Sequence, residues 1–244
     1  MTWALAWKNI RVKYKNSLLG LLWSLVNPLI FLLIFSYVFG HAFPEIENYT
    51  LYALTGLVMW SLFPVATTQI IQSLIDGAPI LKSIAVPVIT FPVSAMLSSV
   101  IQFLFTLIPF GGIMLALDYQ PSIHLLFTIP VLICYLAFVS GLSFIISAVN
   151  IYFRDAGLLW NTLLPAVFYF TPIAYPVDLI PENIRWVMHL NPVYHFIDPF
   201  RKLLYYQVFP DAMQWVWMIA SGAVFLLIGL FVFHSLKRGF ISHY

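Results

Sequence analysis

The sequence predicts an all-α integral membrane protein with six transmembrane helices, and three observations predict it. Only 8% of its 244 residues are charged, against about 25% in soluble chains. Six long runs, most reaching the roughly 20 apolar residues of a membrane helix, hold no Asp, Glu, Lys or Arg. The remaining basic residues fall mostly on one side of those runs and the acidic ones on the other. With 62% hydrophobic residues and a mean hydropathy of +0.94, the chain has too much apolar surface for a water-soluble domain. That excludes a cytosolic globular enzyme, a disordered chain and a nucleic-acid binder with a basic face. The single cysteine, Cys134, excludes a disulfide scaffold and a thiolate metal cluster.

Residues 1–17 come first. Trp3, Trp7, Ile10 and Tyr14 recur at helical spacing, with Lys8, Arg11 and Lys15 on a neighbouring face. This predicts an amphipathic helix in the membrane interface, either a topology anchor or a contact for a cytoplasmic partner. The spans follow at 18–40, 51–73, 93–117, 124–149, 158–175 and 214–236. The first is too long for a signal-peptide core and lacks a small-residue cleavage site. Asn27-Pro28 predicts a kink in it. The fifth is short and contains Pro165 and Pro172.

Two connections carry features of their own. In 74–92, Pro79 suits the first turn of a short helix after Asp76-Gly77, and Pro87 and Pro92 limit its length. A short separate helix over 79–85 is therefore expected. The connection 176–211 stays apolar although Pro181, Asn191-Pro192 and Asp198-Pro199 interrupt it. Short interfacial or re-entrant helices are expected there. Neither a repeat nor a soluble domain separates the spans, so 1–244 reads as one transmembrane domain.

Lys8, Arg11, Lys13, Lys15, Lys82, Arg154, Lys237 and Arg238, eight of the eleven basic residues, share one set of loops with Asp76 and Asp155. The other set holds Arg185, Arg201 and Lys202 with seven acids: Glu45, Glu47, Asp118, Asp178, Glu182, Asp198 and Asp211. The positive-inside rule then places both termini in the cytoplasm of a multi-pass protein.

No P-loop, dinucleotide fingerprint, H-E-x-x-H or nucleophile triad is present. None of the six spans carries an Asp, Glu, Lys or Arg of the kind ion-coupled carriers use. Such a path needs energy from elsewhere, and a separate cytoplasmic ATPase is the natural source. The chain is thus expected to be a transport subunit, not an enzyme, with no cofactor or metal of its own. Gln69, Gln72, Gln102 and Asn161 are the polar residues expected to face a dimer interface or channel rather than lipid.

The run from Trp7-Lys8-Asn9-Ile10-Arg11 through Trp23-Ser24-Leu25-Val26-Asn27-Pro28 resembles the start of the membrane subunit of polysaccharide ABC exporters, a family that includes O-antigen, teichoic-acid and capsule permeases. Leu54-Thr55-Gly56-Leu57 with Trp60 is similar to its second-span motif, and Asn150-Ile151-Tyr152-Phe153-Arg154-Asp155 to the stretch after its fourth. Thr171-Pro172-Ile173, Tyr175-Pro176, Pro181, Arg185-Trp186 and Leu190-Asn191-Pro192 resemble its outer-face signature. Ala85-Val86-Pro87-Val88 departs from the more basic, aromatic-Pro-Arg-Glu run of many members.

The resemblance implies a homodimer working with two copies of a nucleotide-binding ATPase subunit, which would hold ATP and magnesium. Its cargo would be a lipid-linked glycan or polyol-phosphate polymer on an undecaprenyl-pyrophosphate type carrier, crossing the bacterial inner (plasma) membrane. Membrane lipids are the other partner, and no nucleic acid is involved. By this resemblance Pro79, Ile80, Leu81, Lys82 and Ser83, with Trp7, Arg11 and Tyr14, would contact the ATPase. Arg11, Asn27, Trp60, Gln72, Tyr169 and Tyr175 are candidates for the substrate path, where a guanidinium suits a phosphate. Tyr37, Phe63 and Phe168 are further aromatic candidates. Pro181, Arg185, Trp186, Asn191, Pro192 and Arg201 would form an outer gate, and Arg154 and Asp155 a cytoplasmic pair or helix cap. The alternatives are a permease for a smaller lipid or drug, a multispan glycosyl- or phosphotransferase, or an ion-coupled flippase.

Overall fold

The computed structural model describes residues 1–13, 23–83 and 86–240, and among them there is helix and turn but no strand. The helices are α1 (Thr2–Lys13), α2 (Trp23–Phe39), α3 (Tyr49–Ser83), α4 (Thr90–Ala116), α5 (Thr128–Tyr152), α6 (Asp155–Phe170), α7 (Glu182–Arg185), α8 (Tyr194–Arg201) and α9 (Ala212–Leu236). Four helical stretches are long and apolar enough to cross a membrane: Tyr49–Leu81, Thr90–Ala116, Ile123–Tyr152 and Ala212–Leu236. The described part of α2 has 17 residues, and positions 18–22 of the first expected span lie outside the described residues.

Two core clusters divide the bundle lengthwise. One holds Phe91, Phe144, Phe233 and Phe240, with Leu5 packed against it, so both chain ends lie at this end of the molecule. The other gathers Tyr52, Phe63, Phe138, Phe196 and Leu203 toward the opposite end. The tightest helix pair is α5 with α9, where backbones touch. A Cβ on Gly229 would overlap the Gly141 carbonyl, and one on Gly222 would meet the Cys134 carbonyl at 2.8 Å. Both pairs repeat after seven residues, so small residues line one seam and let the helices close on each other.

Three expectations about elements change. No separate helix begins at Pro79: α3 runs unbroken for 35 residues through Gly77 and Pro79 to Ser83, and positions 84 and 85 of the expected helix lie outside the described residues. At Pro64 and Pro79, neighbouring hydroxyls back-bond into the same turns, Thr67 Oγ1 to the Phe63 carbonyl at 2.8 Å and Ser83 Oγ to the Pro79 carbonyl at 2.8 Å. The fifth span ends at Phe170 instead of 175, because Pro172 forces the preceding Thr171 into extended backbone (φ −93°, ψ 129°). At 16 residues, α6 is ~24 Å long, shorter than the ~30 Å hydrocarbon core. Finally, Asp198-Pro199 does not interrupt the outer segment, since α8 passes through Pro199 and continues as a π-helical turn, Lys202–Tyr206.

The amphipathic stripe at the start also splits. Ala6 and Ile10 are buried on α4, where Ser98 Oγ donates to the Ala6 carbonyl at 3.0 Å. Trp3 and Trp7 face outward. Tyr14 lies outside the described residues.

Candidate functional site

At the end opposite the termini, one guanidinium organises the fold. Arg201 closes α8 and is only 2% exposed. Its Nη1 donates to the Tyr52 hydroxyl at 3.0 Å and the Pro172 carbonyl at 3.0 Å. Its Nη2 donates to the Ile173 carbonyl, and Nε reaches Thr55 Oγ1 at 3.4 Å. The guanidinium carbon also lies 3.9 Å from the centre of the Tyr52 ring. Among the described residues no carboxylate is within ion-pair distance of Arg201. A buried cation is costly unless its donors are satisfied, and hydroxyls, carbonyls and a ring face satisfy this one.

The same cluster uses the sequence motifs together. Tyr49 Oη donates to the Ala174 carbonyl at 2.6 Å, and Tyr52 Oη contacts the Tyr175 carbonyl at 3.2 Å. Asn191 Nδ2 donates to Thr171 Oγ1 at 2.8 Å, and its Oδ1 accepts from the Val193 N–H at 3.0 Å. Gly56 is required by closeness, since a Cβ there would overlap the Ile173 carbonyl and sit 2.6 Å from Arg201 Nη2. The stretch after α6 is therefore clamped between α3 and α8. Beside it, Gln214 links the outer segment to α9: its Nε2 donates to Asp198 Oδ2 at 2.7 Å, and its Oε1 accepts from Lys202 Nζ at 3.0 Å. Burial raises the phenols of Tyr194, Tyr205 and Tyr206 above their ordinary range, so these hydroxyls stay neutral.

The expected gate residues split into two kinds. Arg201 and Asn191 are buried anchors. Pro181 and Trp186 lie at the surface, and Arg185 and Pro192 are half-buried. Arg185 folds its own loop, pairing with Asp178 at 3.6 Å and donating to the Ile180 carbonyl at 3.3 Å.

At the terminal end, the last turns of α3 carry Pro79 and Ser83 exposed, with Ile80 and Leu81 resting on the second core cluster. At 1.5 Å per residue, α3 is ~52 Å long, so about 20 Å of it exceeds the ~30 Å hydrocarbon thickness. Arg11 and Trp7 are exposed on α1. The side chains of Lys82 and Asn27 lie outside what is described.

Arg154 and Asp155 are both exposed and do not pair with each other among the described residues. The cap on α6 comes instead from Asn150, 2% exposed, whose Oδ1 accepts the Gly157 N–H at 2.8 Å. The motif's first residue, not its charged pair, starts the helix. Gln72 is exposed and reaches Asp76 at 3.4 Å, and exposed Asn161 accepts from Thr68 at 3.3 Å. Gln69 and Gln102, expected at an interface or channel, instead bond to each other at 3.3 Å across α3 and α4, with Ser99 donating to Gln69 Oε1 at 3.0 Å. Trp60 packs on Phe63 and Phe168, while Tyr169 is 74% exposed and its carbonyl accepts from Tyr175 Oη at 2.9 Å. Phe63 is core, stacked on Phe138 and 1% exposed. Tyr49, Tyr52 and Asn150 were not among the sequence candidates. Tyr49, Tyr52 and Gly56 at i, i+3 and i+7 were the available signal, two phenols and a gap on one helix face.

Residues 1–205 match the model of the ABC-2 type transporter family. The chain is 33% identical over 235 residues to an O-antigen export system permease protein RfbA of Klebsiella pneumoniae, covering 96% of this chain and 90% of that protein. It is 25% identical over 240 residues to the Myxococcus xanthus protein described in the same words, covering 97% and 92%. To the Escherichia coli polysialic acid transport protein KpsM it is 21% identical over 249 residues, covering 98% and 94%.

Proposed function

The chain belongs to the ABC-2 type transporter family, and on that premise we propose that it is the membrane subunit of an ATP-driven exporter of a polysaccharide or polyol-phosphate polymer. The observation that carries this reading is the end-to-end likeness to O-antigen and polysialic acid transport proteins. The cargo is a glycan linked to an undecaprenyl-pyrophosphate type lipid. The chain forms its conduit as a homodimer in the bacterial inner membrane, with both termini in the cytoplasm, where the positive-inside rule puts the basic end.

The ATPase is a separate subunit and holds ATP and magnesium. Its docking point is the overhang of α3, where Pro79 and Ser83 stand exposed beyond the membrane thickness. Arg11 flanks the entry, and Trp60, Tyr169 and Tyr175 border the path.

The reading is tested by expressing the chain with its neighbouring P-loop ATPase in a host that lacks its own exporter. Surface glycan should appear only with both subunits and an ATPase competent in hydrolysis. Replacing residues 79–83 with Gly-Ser should abolish co-purification of the ATPase while the chain stays in the membrane. Retained co-purification and export would sink the docking assignment. Export without any ATPase would sink the function.

A further inference from the structure

The outward face of α1 remains unused by the fold. Its inward face is fixed: Ala6 is 0% and Ile10 3% exposed, and Ser98 holds the Ala6 carbonyl. The height of that attachment in the bilayer follows from two helices independently. Roughly 20 helical residues cross the hydrocarbon core. Counted along α3 from Tyr49 they end near Gln69, and counted back along α4 from Ala116 they end near Met96. Gln69 and Ser99 are hydrogen-bonded to each other, so the two counts meet at one level. Ser98 lies at that level, and α1 is docked on it. The helix therefore lies where headgroups begin.

At that level α1 presents Trp3 (59% exposed) and Trp7 (42%), with ring centroids 6.2 Å apart, next to exposed Lys8 and Arg11. α1 contains no acid. Indole rings favour the hydrocarbon–water boundary, and basic side chains beside them favour an anionic surface. We infer that the face of α1 formed by Trp3, Trp7, Lys8 and Arg11 is a recognition surface for anionic phospholipid headgroups of the leaflet at the terminal end. The overhang of α3 and this face are then separate devices, one for a protein partner and one for the bilayer. The inference requires that α3 and α4 span the membrane with the far boundary at Tyr49 and Ala116, and it is independent of the cargo.

The test uses the full-length chain purified in neutral detergent and titrated with brominated phosphatidylglycerol or brominated phosphatidylcholine. The part of the fluorescence lost in a Trp3→Phe/Trp7→Phe chain isolates the two indoles. Each basic side chain near an anionic surface strengthens association about fivefold. Lys8→Gln/Arg11→Gln should therefore shift half-quenching by phosphatidylglycerol at least about tenfold upward and leave phosphatidylcholine unchanged. Lys8→Arg/Arg11→Lys, which keeps both charges, should restore the original value.

An unchanged phosphatidylglycerol titration in the double Gln variant would overturn the inference. So would equal quenching of wild type by both lipids. Displacement of phosphatidylglycerol by inorganic pyrophosphate at the same ionic strength would make the face a site for free phosphate and reject the surface reading. Loss of ATPase co-purification with unchanged lipid quenching would assign the face to the protein partner instead.

Discussion

Arg201 meets Tyr52 twice, donating to its hydroxyl at 3.0 Å while its guanidinium carbon lies 3.9 Å from the centre of the same ring. One side chain of α3 thus serves as both acceptor and platform for a cation from α8. Losing the guanidinium leaves the Pro172 and Ile173 carbonyls and the Tyr52 hydroxyl without their donor. Arg201→Leu should destabilise the chain by about 3 kcal/mol, the scale of breaking a buried charged network. Arg201→Lys should recover only part of it, because an ammonium cannot reproduce the planar fork. Thermal unfolding in detergent checks both. A wild-type midpoint in Arg201→Leu would show that the clamp contributes nothing.

Gly56→Ala should be among the most damaging single methyl additions. The new carbon would overlap a backbone carbonyl that has no rotamer to escape into, and Arg201 Nη2 sits 2.6 Å away. Gly111→Ala and Gly112→Ala are matched controls in α4 with nothing within 4 Å. They should be neutral or gain up to about 1 kcal/mol from helix propensity. Parallel midpoints of the three variants give the comparison, and equal midpoints for Gly56→Ala and Gly112→Ala would refute it.

Asn150→Ala removes the acceptor for the Gly157 N–H and should cost about 1 kcal/mol. Asn150→Asp keeps an oxygen in place and should cost less. Arg154→Gln and Asp155→Asn, both exposed and unpaired with each other, should leave the midpoint within about 0.5 kcal/mol of wild type. A larger effect from the charged pair than from Asn150 would reverse the assignment of the cap.

Gln69 and Gln102 form a mutual amide pair inside the bundle. Either single change to Leu removes the amide–amide bonds and leaves the other amide its serine-side partner, the Ser98 carbonyl for Gln102 or the Ser99 hydroxyl for Gln69, and should cost about 1 kcal/mol. The double change to Leu should cost less than the sum of the two. A double-mutant cycle on unfolding midpoints measures the difference, and strict additivity would show that the amides do not interact.

The helical character and the breaks around Pro181 and Asn191-Pro192 were legible because hydropathy and proline spacing are local signals. What was missed depends on partners far apart in sequence. Arg201 reads as one more loop cation until the fold sets it against Tyr52, 149 residues away. Pro79 reads as a helix start because an isolated segment would break there, yet α3 carries through it while Ile80 and Leu81 pack on the Phe91 cluster. The stripe of Trp3, Trp7 and Ile10 follows the right period, but small Ala6 won the buried face because Ser98 needs close approach to its carbonyl. Gln69 and Gln102 look alike from sequence whether they face a channel or each other.

The unbroken length of α3 has a mechanical consequence. Near its first residues it holds Gly56 against the Arg201 clamp, at its last turns it carries Pro79 and Ser83, and the Gln69–Gln102 pair grips it between them. A rod held near its middle by a neighbour has few independent motions. Sideways displacement at one tip must appear with opposite sense at the other, unless the helix bends at Pro64. Stiffening or loosening the turn around Pro64 would therefore change how faithfully the two ends follow each other without touching either end.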